Sequence, residues 1–174
     1  ALTADRKVEI PRPIYELATE KYGIRQVDLI FDVLTLPIST GQEEYRTAGI
    51  ETLNAVRRIK EELPGCHTIL GVSNISFGLS AYSRRILNSV FMHEAVNNGL
   101  DMAIVNYSKI YPLYKIPEAE VELARKLIFY DKSNGDPLQV FMQHFSGQEK
   151  KTDEVATDTD TLSVEDKLKY LIVN

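Results

Sequence analysis

Three short stretches of the chain are almost continuously apolar: Asp28-Leu29-Ile30-Phe31-Asp32, Thr68-Ile69-Leu70-Gly71-Val72 and Met102-Ala103-Ile104-Val105. Runs of this length suit strands, and near-continuous apolarity is the pattern of parallel strands with helices on both faces. Elsewhere the apolar spacing changes to three and four. Ile50, Leu53, Val56, Ile59 and Leu63 form one stripe; Ile86, Val90, Phe91 and Ala95 form a second; Val121, Ala124, Leu127 and Ile128 form a third. Each predicts an amphipathic helix. An earlier stripe, Ile10, Ile14, Leu17 and Ala18, predicts a helix before the first strand. Pro11 and Pro13 interrupt it, and because proline is tolerated only in a first turn, that helix is expected to begin near Pro13.

The order is a helix followed by three strand–helix units, which implies right-handed βαβ connections and a parallel sheet. A dinucleotide-binding sheet is excluded, because Val33-Leu34-Thr35-Leu36-Pro37 after the first strand has none of the required glycines. The remaining expectation is an α/β chain forming part of a (β/α)8 TIM barrel. A whole barrel needs eight strands and ~250 residues, so three strands would leave edges open and the core unclosed.

After the third unit, Asn134-Gly135-Asp136-Pro137 signals a turn that opens a short helix over Pro137 to Phe145. Residues 149–166 then hold seven acids and two lysines, which accounts for the whole net charge of −5. That stretch reads as a solvated linker. Ser163-Val164-Glu165-Asp166 is a capping-box candidate, with Val164, Leu168 and Leu171 on one helical face behind it. The expected organisation is residues 1–147 as barrel, 148–161 as acidic linker and 162–174 as the first turns of a further helical domain. The chain opens on Ala1 rather than Met, the expectation for one that starts within a longer protein.

Composition narrows the function classes. With 44% hydrophobic and 26% charged residues the 174-residue chain is globular in character. No apolar run approaches the ~20 residues of a membrane span, and the negative net charge argues against nucleic acid as partner. Cys66 is the only cysteine; a reducing cytoplasmic setting is the default, and a buried small residue is its simplest role. There is no metal-ligand, nucleophile-elbow or phosphate-loop motif, so no metal site is expected.

In parallel α/β barrels chemistry gathers at the C-terminal strand ends. Asp32 ends the first strand, Asn74 follows the second, and Asn106 ends the third. Singly, each is as well explained as a turn former or helix cap; together, from three strands, they mark one rim. Asp32 can accept two N–H donors from a planar heterocycle, and Asn74 offers both a donor and an acceptor. Arg84 and Arg85 begin the following helix, where they either meet an anionic substrate tail or form a solvated face. His93 and His144 lie on helices and read as structural or exposed.

Leu70-Gly71-Val72-Ser73-Asn74-Ile75-Ser76-Phe77-Gly78-Leu79 resembles the seventh strand and loop of the pterin-binding barrel in cobalamin-dependent methionine synthases. Asn88-Ser89-Val90-Phe91 and Gly99-Leu100-Asp101-Met102-Ala103-Ile104-Val105-Asn106 continue the resemblance into the eighth strand, and Ile30-Phe31-Asp32-Val33-Leu34-Thr35-Leu36-Pro37 is similar to the sixth. Leu162-Ser163-Val164-Glu165-Asp166-Lys167-Leu168-Lys169-Tyr170 is similar to the start of the helical cap over the cobalamin domain. The same barrel type occurs in dihydropteroate synthase and in the corrinoid iron–sulfur protein methyltransferase.

The resemblance implies the last three β/α units of the barrel. It also implies a methyltransferase passing the N5 methyl of methyltetrahydrofolate to cob(I)alamin held by a neighbouring cobalamin-binding module. By the same resemblance Asn74 steadies the protonated, departing N5, Asp32 holds the pterin ring, Asn106 lines the site and Arg84 contacts the substrate. Val33 stands where the family carries proline, and Ser80-Ala81-Tyr82 departs from its proline-bearing loop. The chain alone is expected to be incomplete and to need the remaining strands. The alternatives are a non-catalytic subunit that completes a barrel with a partner chain or as a homo-oligomer, or a relative of the corrinoid iron–sulfur protein methyltransferase.

Overall fold

The computed structural model describes residues 1–147 and Ser163. The expected linker and cap helix lie outside the described residues. Two short helices, α1 (Ala4–Glu9) and α2 (Pro11–Glu16), lead through a wider turn over Leu17–Lys21 to β1 (Ile30–Asp32). Then come α3 (Ala48–Glu62), β2 (His67–Gly71), α4 (Ala81–Asn97), β3 (Met102–Ile104), α5 (Glu118–Ile128) and α6 (Pro137–Phe145). The strands form a parallel sheet in the order β1-β2-β3, which fits part of a barrel.

The first helix starts earlier than the proline pattern predicts. Thr3 caps α1 by accepting from the Arg6 amide. Proline ends that helix rather than delaying it: Pro11 restarts the chain as the first residue of α2. Three of the four residues of the predicted stripe also face the other way, and only Ala18 turns inward as expected. Ile10, Ile14 and Leu17 are exposed, while Ala4, Lys7, Val8, Pro11 and Ala18 turn inward. The later helices follow their patterns. Leu53, Val56 and Ile59 of α3, Ile86, Val90 and Phe91 of α4, and Val121, Ala124 and Ile128 of α5 are buried in one core. Gly49 lets α3 meet the end of α5, since a Cβ there would fall 2.7 Å from the Ile128 carbonyl oxygen. Asp136 caps α6, accepting from the amides of Leu138 and Gln139.

The register sorts strand residues onto two faces. Phe31 pairs with Thr68, and Leu70 with Ala103. These face the helices, and Thr68 and Leu70 have no exposure. The opposite face carries Ile30, Asp32, His67, Ile69, Gly71, Met102 and Ile104. Ile30 is 53% and Ile104 64% exposed, and a Cβ on Gly71 would meet open space. Helices therefore cover one face only, against the expectation of two. Parallel sheets seldom stand with a bare face, because their hydrogen bonds and apolar side chains need cover. In a closed barrel that face is the interior.

At the other end of the sheet Asp101 binds β2 to β3. Its carboxylate accepts from the Thr68 amide (2.8 Å) and hydroxyl (3.1 Å), and from Lys60 of α3 (2.9 Å), with His67 Nδ1 at 3.3 Å. Lys60 also donates to the Cys66 carbonyl. Burial pushes the Asp101 carboxyl up, but these donors outweigh it and bring it down to about 2. Cys66 is fully buried, its thiol donating to the Leu63 carbonyl; burial raises that thiol above its ordinary range.

The two faces are expected to respond differently in urea unfolding of this chain. Leu70→Ala should cost about 2–5 kcal/mol, whereas Ile104→Thr should fall within about 0.5 kcal/mol of the parent. Equal losses would mean that the bare face is covered in solution. Because the Asp101 carboxyl falls from 3.8 to about 2 on folding, the unfolded chain binds more protons between those values. The stability Asp101 supplies is present above pH ~4 and lost as pH falls toward 2. Asp101→Asn should flatten that acid limb of a pH–stability curve.

Candidate functional site

The C-terminal ends of β1 and β2 lead into two loops that are stitched together. Ile38 N donates to the Ile75 carbonyl (3.2 Å), and Ser39 Oγ donates to the Phe77 carbonyl (2.8 Å). The third stitch is Asn74 itself, whose Nδ2 donates to the Thr35 carbonyl at 2.5 Å. A carbonyl partner accepts only, so it sets which way round the amide lies. The donor end of Asn74 is committed to the protein, and Oδ1 is left to accept from a ligand. Asn74 sits on a single tight turn, Val72–Ser76, whose Val72 and Ile75 are buried anchors.

Asp32 ends β1 and is exposed. One carboxylate oxygen accepts from Leu34 N at 2.9 Å, so the other is available. The backbone turns sharply here: Leu34 has φ +62°, a left-handed conformation costly for a residue with a Cβ. Val33 is buried and its amide donates to the Ile69 carbonyl at 3.2 Å. Proline at this position could not make that bond.

The left-handed turn is held from beneath by Lys7 of α1. Lys7 is 4% exposed, and its ammonium donates to the carbonyls of Val33 (2.6 Å) and Leu34 (2.5 Å). Burial lowers it from 10.5 to about 8, against the opposing pull of Asp32 and Glu51. This residue escaped the sequence reading. The available signal was a lysine at helical spacing from Ala4 and Pro11 and beside Val8, a cation on an apolar face. The Thr35 carbonyl leaves no signal at all, because every residue has one.

Asn106 caps the turn after β3: its Oδ1 accepts from the amide (3.1 Å) and hydroxyl (2.8 Å) of Ser108. Its Nδ2 is therefore the end free to donate. Arg84, in the first turn of α4, reaches back to the β2 loop, with Nε to Ser76 Oγ and Nη2 to the Ser73 carbonyl, both at 3.2 Å. Tyr82, in the segment that departs from the resembled loop, turns away from the site. It donates to Glu120 at 2.9 Å and packs on Phe145; burial and that carboxylate raise its hydroxyl to about 12.

Asn74, Arg84 and Asn106 line one open cleft of about 440 Å³ with Gly71, Phe77 and Ile104. Asp32 is on the same face of the sheet but does not line that cleft. It borders a smaller one with Lys7 and Leu34. The structure thus brings three of the four predicted residues together and leaves the fourth one strand away. His67 lies at the opposite end of β2, His93 is on α4 and His144 on α6. Among the described residues no cluster of histidine, cysteine or carboxylates is built to hold a metal ion, and no helix is long and apolar enough to cross a membrane.

Residues 1–106 match the family model described as pterin binding enzyme. That segment contains all three strands and ends on Asn106. The chain is also similar to a protein named methionine synthase from Mycobacterium tuberculosis (strain ATCC 25618 / H37Rv), at 46% identity over 149 residues, which is 84% of this chain and 12% of the relative. A protein of the same name from Mycobacterium leprae (strain TN) is 45% identical over 148 residues, again 84% of this chain and 12% of the relative. The chain spans about an eighth of the length of these curated relatives.

Lys7→Met should release the 33–35 turn. Folded Lys7 gives up its proton near pH 8, whereas an unfolded lysine holds it to 10.5. The unfolded chain therefore binds more protons in that window, and stability contributed by this site rises with pH from about 8 to 10.5. Thermal melts across that range should show the rise in the parent and its loss in Lys7→Met, with an overall cost of about 1–3 kcal/mol.

Proposed function

Because the chain belongs to the pterin-binding enzyme family, we propose that it supplies one side of a folate site for methyl transfer. The methyl on N5 of methyltetrahydrofolate passes to cob(I)alamin on the way to methionine. The carrying observation is the fixed amide of Asn74: its donor end is held by the Thr35 carbonyl, which leaves its oxygen to accept in the cleft that Asn74 lines. Amine N5 is a poor leaving group until it bears a proton. An acceptor already oriented for that N5–H stabilises the charge as it develops, without reorganising at the moment of reaction. The free oxygen of Asp32 accepts from a pterin ring N–H, Asn106 Nδ2 donates to a ring heteroatom, and Arg84 holds the cleft wall it shares with Asn74.

Cobalamin, when bound, supplies the nucleophile that takes the methyl group. Nothing among the described residues fits a corrin: no histidine stands at the C-terminal strand ends, and the polar groups of the cleft are two amides, a serine and a guanidinium. A neighbouring cobalamin-binding module is the reading consistent with that donor set and with a chain that is 12% of its relatives' length. The chain is read as the last three β/α units of a (β/α)8 barrel, followed by an acidic linker over 148–161 and the start of a cap over 162–174. Remaining strands, in the same polypeptide or a partner, would cover the bare face and add the rest of the pterin contacts. A reducing, cytoplasmic setting suits the single buried thiol.

Isothermal titration with methyltetrahydrofolate, paired with mass measurement in solution, tests this reading. The monomeric chain should bind weakly, and adding a polypeptide carrying the other five strands should restore tight binding. In the restored barrel Asn74→Ala should slow single-turnover methyl transfer on the order of 10²-fold. Tight binding by a proven monomer would sink the half-site reading. No binding even in the completed barrel would sink the folate reading.

A further inference from the structure

Beside the cleft that holds Asn74 lies a second cavity of about 370 Å³, within the range of small-ligand sites. It opens between the β2 and β3 loops and the first turns of α4, and shares Ser73, Arg84 and Asn106 with the first. Three cations reach it: Arg84, Arg85 and Lys109. Among the described residues no carboxylate lines it. Arg85 is held in place, with Nη1 donating to the Tyr111 hydroxyl at 2.7 Å and the guanidinium 5.5 Å from that ring's centre. Its Nε is buried without a partner among the described residues.

The deepest polar group is Asn88, on α4 two turns from the helix start. It is 6% exposed, lines the cavity, and its Oδ1 has no donor among the described residues. An unpaired buried amide oxygen costs about 1–3 kcal/mol, so its retention calls for a ligand that brings an N–H. A simple inorganic anion would satisfy the cations and leave Asn88 unpaired. A ligand with an amide N–H next to carboxylates satisfies both.

We propose that this cavity seats the N-acylglutamate tail of the substrate, with Arg84, Arg85 and Lys109 taking the carboxylates and Asn88 Oδ1 accepting from the tail's amide N–H. The proposal rests on the folate reading above and extends it, because the shared wall of Ser73, Arg84 and Asn106 lets one extended ligand occupy both spaces. Arg85 and Lys109 then act on affinity for the tail and not on the methyl-transfer step.

The test is NMR titration of the full 174-residue chain, at ligand concentrations high enough to read weak binding. The probes are p-aminobenzoylglutamate, p-aminobenzoate, inorganic phosphate and a tail-free methyltetrahydropterin. The expected result is that p-aminobenzoylglutamate shifts the Asn88 side-chain amide and the Arg85 Nε–H, and binds about tenfold more tightly than p-aminobenzoate. Lys109→Gln, an exposed change that leaves the core untouched, should weaken the glutamate probe several-fold and reduce its salt dependence. Arg85→Ala should weaken it further, and Lys109→Gln carries the test should Arg85→Ala not fold. Silence at Asn88, equal affinity for p-aminobenzoate, or the same Asn88 shift from phosphate alone would each overturn the proposal. A tail-free pterin that shifts Asn74 while the glutamate probe leaves Asn88 unmoved would overturn the tail seat and keep the folate reading. The reverse pattern would remove the folate reading and keep an acylglutamate pocket.

Discussion

Leu70 and Thr68, wholly buried between the sheet and its helices, mark the constraint from which the architecture follows. Parallel strands cannot turn back on one another directly, so each needs a helix to return the chain, and those helices must pack somewhere. Here α3, α4 and α5 close over the face that carries Phe31, Thr68, Leu70 and Ala103. That packing points every β-to-α loop to the same end of the sheet, which puts Asp32, Asn74 and Asn106 on one rim. It also leaves Ile30 and Ile104 on a face that nothing among the described residues covers. The molecule carries half of a buried surface and the whole of the scaffold that orients it.

The rim is held by polar groups that have been moved out of water. Lys7 brings a cation under the β1 loop and holds two carbonyls. With them held, the chain accepts a left-handed leucine at 34, and the Thr35 carbonyl comes within reach of Asn74. Each contact is local, yet together they connect α1 to an amide on the far loop. Stability and aim are the same interaction here: the energy of burying a lysine against its preference is offset by bonds whose second effect is to orient a side chain. Asp101 does the equivalent work at the opposite end of the sheet, where no function is proposed and the network is purely structural.

The proposed pterin cleft and the proposed tail cavity are joined by shared residues, and their chemistry differs in a consistent way. The cleft beside Asn74 offers neutral amides at strand ends, suited to a planar heterocycle whose charge changes during reaction. The cavity beside Asn88 offers cations, with no carboxylate among the described residues lining it, and a buried acceptor. Arg84 stands between them and is tied to both sides of the β2 loop. A ligand with a heterocycle at one end and an amide-linked carboxylate at the other has the polarity that this surface presents.

Much of this was legible in the chain. Apolar run length set the three strands, to within two residues of their observed ends, because a buried strand cannot hide polar side chains. The three- and four-residue stripes set α3, α4 and α5, since a helix repeats its buried face at that spacing. Asp136-Pro137 set the start of α6 by capping alone. Asp32, Asn74 and Asn106 could be named from position, and their resemblance to a pterin-binding barrel could be read directly. The first helix was misplaced because a proline stripe records where helices are permitted, not which face turns inward. What only the tertiary structure decided is which groups meet across long separations. Lys7 under Val33, Thr35 opposite Asn74, and Asn88 behind Arg85 and Lys109 depend on carbonyls, on which face is covered and on how loops fold back. Beyond the helical spacing that sets Lys7 on an apolar face, no residue type or period announces which groups meet.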